Sequence, residues 1–150
     1  MLRRRISLAL LGALVVLLLS ACSDDDTLSR EQYASRLDAM CESFAAREQE
    51  IGEPRTLEDL VEKGPRVLDA FEETIVERVH DLKAPSEIAA QAERLVELTD
   101  RQRDVLAELV EAAKQNDVAQ VQELASKNAT LNEETNALAR NLGAKSCATD

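Results

Sequence analysis

The sequence predicts an all-α domain: an antiparallel up-down four-helix bundle that follows a cleaved signal peptide. Three observations carry this. Beyond position 28 the apolar residues recur at steps of three and four and no segment alternates, which is the period of helices and not of strands. The chain has only three aromatic residues (Tyr33, Phe44, Phe71), four glycines and three prolines, which is poor material for the strands and turns of a sandwich or barrel. Yet 45% of the residues are hydrophobic, enough to form a core and to exclude a disordered chain. A length of 150 residues allows one domain of ordinary size.

The N-terminus reads as an address. Met1 to Arg5 is basic, and the fourteen residues from Ile6 to Leu19 form an almost unbroken apolar run. As a helix that run reaches only ~21 Å, short of a ~30 Å hydrocarbon core, so a secretory signal fits better than a membrane span. Leu19-Ser20-Ala21-Cys22 resembles the lipobox of bacterial lipoproteins, in which the cysteine becomes the new N-terminus after receiving a diacylglyceryl thioether. The resemblance implies cleavage before Cys22, lipidation at Cys22 and residence on the outer, extracytoplasmic face of the cell membrane. The alternatives are an ordinary signal ending at Ala21 or an uncleaved anchor. Arg4-Arg5 fits a twin-arginine signal poorly, given the Ile6-Ser7-Leu8 that follows. Residues 22–28, with Asp24, Asp25 and Asp26 in a row, read as a lipidated acidic tether kept extended by its own charge. They lack the alternating oxygen ligands and glycine turn of a calcium loop.

Residues 29–150 read as the helical bundle. Ser29 and Gln32 form a capping box, and Tyr33, Leu37, Met40, Cys41, Phe44 and Ile51 share one face of the first helix before Gly52 and Pro54 end it. Thr56 and Asp59 cap the second segment, whose stripe is Leu60, Val61, Val67, Leu68, Phe71, Ile75, Val79 and Leu82. Gly64-Pro65 predicts an interruption there, because proline lacks an amide hydrogen and collides with the preceding turn: a short helix near 57–63, then a longer one near 66–82. Pro85-Ser86 opens the third. Ile88, Ala92, Leu95, Thr99, Gln102, Leu106, Leu109 and Ala113 then alternate strictly by four and three, a heptad pattern suited to shallow bundle crossings. Asn116-Asp117 breaks it, and Asp117 with Gln120 caps the fourth helix, with Val121, Leu124, Asn128, Leu131, Thr135, Leu138 and Leu142 on its stripe. Gly143 sits where a left-handed terminator belongs.

With Cys22 given to lipid, Cys41 and Cys147 remain as an even pair in an exported, oxidising setting. In an antiparallel bundle the last helix ends where the first begins, so a tail after Gly143 can fold back to Cys41 and form a structural disulfide. The alternatives are two unpaired buried thiols, or a redox or metal pair, the last weak without histidine ligands. Tyr33, Leu37-Asp38-Ala39-Met40-Cys41, the acidic body, and Leu142-Gly143 followed by Cys147 together resemble small secreted or lipid-anchored actinobacterial proteins of unknown function. The resemblance spans about residues 28–149 and implies the fold and the disulfide, but no activity.

Candidate chemistry is sparse, and the expectation is a protein that is not an enzyme. The formal charge is −11, and without residues 1–21, which hold three arginines and no acid, the balance becomes −14. So acidic a surface does not suit nucleic acid. Glu77 and His80 have the E-x-x-H spacing of di-iron bundles, but His80 is the chain's single histidine and a second pair cannot form. No metal and no cofactor are expected, and Ser-His-Asp or Cys-His catalysis lacks its histidine. Asn128-Ala129-Thr130 matches a glycosylation sequon, but lies mid-helix with Asn128 facing inward. What remains is a polar quartet on the core stripes, Thr99 and Gln102 on the third helix and Asn128 and Thr135 on the fourth. Buried and unbonded, each would cost about 1–3 kcal/mol, so they should bond one another across the helices. They can serve to specify register, or they can orient a ligand in a cavity. Two functions follow. One is a non-catalytic interaction module of the cell envelope that offers an acidic helical face to another protein or a cationic partner, and so needs a contiguous exposed apolar or strongly charged patch. The other is a carrier or sensor that binds a small apolar ligand within the bundle.

Overall fold

The computed structural model describes residues 27–148. The signal segment, Cys22 and most of the acidic tether lie outside the described residues. Five α-helices follow in order: α1 (Arg30–Ile51), α2 (Leu57–Phe71), α3 (Glu77–His80), α4 (Ala89–Lys114) and α5 (Val118–Leu142). A π-helical turn, Glu72–Val76, joins α2 to α3, so that 57–80 is one rod and the bundle has four. No strand occurs among the described residues.

The ends of the rods are set by the residues that predict them. The Ser29 hydroxyl accepts from the Gln32 amide, and the Gln32 side chain accepts from the Ser29 amide at 2.8 Å, closing a full capping box. Thr56 and Asp117 accept from the Asp59 and Gln120 amides. Gly143 ends α5 at φ +101°, and Asn116 takes φ +58° in the tight turn between α4 and α5, an angle that asparagine tolerates better than most residues. Leu28, expected in the tether, instead packs against the core, and its amide donates to the Lys83 carbonyl at 3.0 Å.

The second rod departs from expectation. Gly64-Pro65 does not interrupt it: α2 runs through Pro65, its ninth residue, and the irregular turn comes later, at Glu72–Val76. Two features make the proline tolerable. Glycine before it has no Cβ for the ring to strike, and the carbonyl that loses its partner belongs to Val61, which is 39% exposed and open to water. Val61 is thus a stripe residue that the core does not take. In the wide turn, buried Thr74 donates its hydroxyl to the Ala70 carbonyl at 2.6 Å, and the Glu77 amide bonds Glu72 five residues back.

The core forms two clusters. The first joins Tyr33, Leu37 and Met40 of α1 to Val79, Ala92, Leu95, Ala139 and Leu142. The second, nearer the Asn116 turn, is built by Leu98, Val105 and Leu109 of α4 and Leu124 and Leu131 of α5, with Leu60 of α2 against it. No residue of α1 enters the second cluster. The buried residues of α1 stop at Met40, because after Phe44 the chain offers Ala45-Ala46-Arg47-Glu48-Gln49-Glu50, which has no large apolar side chain.

Candidate functional site

Where α1 leaves the core, a cleft of about 220 Å³ opens along its inner face. Its walls are Leu37, Met40 and Phe44 of α1 and Phe71, Ile75 and Val79 of the second rod, with Leu95 and Ala139 from α4 and α5. The Phe44 and Phe71 rings meet edge to face, with centroids 5.3 Å apart. The π turn bears on the site directly, since Phe71 and Ile75, which flank and enter it, both line the cleft.

The disulfide forms part of the cleft wall. Cys41 and Cys147 are bonded, with Cα atoms 5.1 Å apart, so the expected pairing is present. The tail that carries Cys147 is tied down along α1. Asp38 Oδ1 accepts from the Lys145 and Ser146 amides, each at 2.6 Å, and the Ser146 hydroxyl donates to Glu42 at 2.9 Å. Ser146 and both cysteines line the cleft.

Of the polar quartet, three come together. Thr99 is 1% exposed and Gln102 8% exposed, and both line the cleft with Thr135. Asn128 does not join them. It lies about two helical turns before Thr135 on α5, beside Gly64, Val110 and Val121 in a separate groove, and its buried Oδ1 has no hydrogen-bond partner. Nor do the four bond one another. Gln102 donates to Asn132 Oδ1 across a long 3.5 Å, and Thr135 donates back to the Leu131 carbonyl at 2.7 Å. The correct partner for Gln102 is thus Asn132, four residues beyond Asn128 on the same face of α5.

Four polar lining residues escaped the sequence reading: Asn132, Asn136, Ser146 and Glu48. Glu48 was visible in principle. Steps of four and three from Leu37 give 41, 44, 48 and 51, so a carboxylate occupies a stripe position between Phe44 and Ile51. Its residue as a whole is exposed at the rim, but burial of its carboxyl raises the pKa above the usual carboxylate range. It has no ion-pair partner among the described residues, whereas neighbouring Arg47 reaches Glu73 at 3.0 Å.

His80 is exposed and hydrogen-bonds Asp100 through Nε2 at 2.9 Å, away from the cleft. Among the described residues no group of three or more His, Cys, Asp or Glu is placed to hold a metal ion, and no helix is long and apolar enough to cross a membrane. No protein-family model matches the chain, and no curated protein or solved structure matches it either.

Proposed function

We propose that this protein is a lipoprotein moored through Cys22 to the outer face of the cell membrane, whose helical body binds a small, mainly apolar molecule in the cleft beside α1. One observation carries the binding half of this reading: Thr99, Gln102 and Thr135 line the same cavity, inside apolar walls. Register specification asks for buried polar groups but asks for no cavity. An apolar cavity of ~150 Å³ admits benzene, so a cleft of about 220 Å³ suits a molecule of roughly ten non-hydrogen atoms. The lipobox-like Leu19-Ser20-Ala21-Cys22 supports the anchor.

The interaction-module reading asks for a contiguous exposed patch, apolar or strongly charged. Among the described residues the exposed large hydrophobics are Val61 and Val118, on different rods, so its remaining support is the acidic balance of the chain. Native mass spectrometry of protein purified from its own membrane tests the ligand reading. A co-purifying small molecule is expected, and it should be absent from Thr135→Phe, which fills the cleft. A bare wild-type protein would overturn the reading. For the anchor, Cys22→Ser should move the protein from the membrane to the culture fluid. Unacylated wild type in that fluid would sink it.

A further inference from the structure

We infer that the occupant of the cleft is a compact organic cation, an ammonium group on an apolar body, with Glu48 as its counter-charge; this rests on the cleft being a ligand site. Among the described residues, Glu48 is the only ionisable side chain that lines the cavity. Glu48 is exposed, while Leu37, Phe71 and Leu95 supply apolar wall alongside the polar Thr99, Gln102 and Thr135, a layout that accepts an amphiphile's body and leaves its charge toward solvent. Other acids nearby are already engaged: Glu73 by Arg47, Glu42 by Ser146, and Asp38 by two backbone amides. Glu48 is partly desolvated although its residue stays exposed, and it pairs with no cation among the described residues.

The surroundings point the same way. Glu48 lies in the last turn of α1, where the unbonded carbonyls carry the negative end of the helix dipole, and that turn holds no basic residue. Asn132 and Asn136 also line the cleft, and a side-chain amide there can accept from N–H donors, although Asn132 Oδ1 already takes one long bond from Gln102. The Phe44 and Phe71 rings offer π surface to a cation. An anionic ligand would meet Glu48 with no compensating charge on the cleft wall. A neutral one would leave the carboxylate unpaired.

The test compares phenethylamine, 2-phenylethanol and phenylacetate, which share an apolar body and differ in charge. Each is titrated calorimetrically into the full lipidated chain in neutral detergent, with the detergent blank subtracted. Phenethylamine should bind about tenfold more tightly than 2-phenylethanol, the usual worth of a charge-assisted hydrogen bond. Glu48→Gln should erase that preference, and Thr135→Phe should weaken both ligands. Equal affinity for amine and alcohol, a preference for phenylacetate, or an amine preference that survives Glu48→Gln would overturn the cation assignment and leave the cleft reading standing. If none of the three binds, the cleft reading fails and this inference falls with it.

Discussion

The two halves of the bundle share the second rod, α4 and α5 but differ in what α1 gives them. Beside the disulfide, α1 contributes Tyr33, Leu37 and Met40, and the tail from Ala144 to Cys147 packs over the joint. Beside the Asn116 turn, the core is made by three helices, and α1 is held to the second rod by the Phe44–Phe71 contact and the exposed Arg47–Glu73 pair. Surface pairs of that kind contribute at most about 1 kcal/mol. The cleft lies at the seam, where four-helix packing becomes three-helix packing. The comparison teaches that this cavity reflects a missing apolar face on one helix, not an enlarged bundle.

Removing the staple should have the largest effect. The disulfide joins residues 106 apart in sequence, and in the chain-entropy model a closed loop of that length is worth about 4–5 kcal/mol. Cys41→Ala with Cys147→Ala should lower the denaturation midpoint accordingly. Amide exchange should then accelerate in α1 and the tail more than in α4 and α5, and equal acceleration everywhere would erase the distinction between the halves. Next is Gly64→Ala, which probes the three-helix half. A Cβ there would stand 2.7 Å from Val110 Cγ2, and overpacking of that kind costs about 1–3 kcal/mol, partly offset by the ~1 kcal/mol that alanine gains in helix propensity. Thermal unfolding should show a net loss, relieved in the double variant with Val110→Ala. Smaller again, Asp117→Ala removes the hydroxyl-free carboxylate cap of α5, whose Oδ1 accepts from Gln120 at 3.0 Å, for a loss of about 1 kcal/mol in the same assay.

Much of this architecture is legible in the residues because it is local. Ser29 with Gln32, Thr56 with Asp59, Asp117 with Gln120 and Gly143 each satisfy helix-end groups within a few residues, so the rod ends follow from short patterns. The heptads from Ile88 to Ala113 fix the inward face of α4, where Thr99 and Gln102 are indeed buried. What was misread depends on neighbours distant in sequence. Proline-breaking rules do not register that Val61 faces water or that Gly64 lies against Val110. Asn128 and Asn132 lie one turn apart on α5, and only the axial offset between α4 and α5 decides which of them meets Gln102. The cleft itself depends on how far back along α1 the tail reaches, a length set at Cys41.

The smallest expected effect bears most directly on the seam. Desolvation raises the Glu48 pKa in the folded protein, so the folded state binds that proton more tightly than the unfolded chain, whose value is ~4.3. The resulting stabilisation is fully present below ~4.3 and is lost as pH rises through the raised folded value, so at neutral pH the ionised carboxylate is a net cost. Glu48→Gln should therefore be slightly more stable than wild type at pH 7, by no more than about 0.5 kcal/mol for so exposed a residue, and the advantage should vanish by pH 4. Urea midpoints at the two pH values measure this, and a variant that is less stable at pH 7 would contradict the desolvated carboxylate. Phenethylamine sharpens the comparison, because a ligand that binds only the folded state stabilises it by an amount that grows with the logarithm of its concentration relative to its Kd. At saturating amine the wild type should overtake Glu48→Gln, an inversion that a carboxylate with a purely structural role at the rim would not produce.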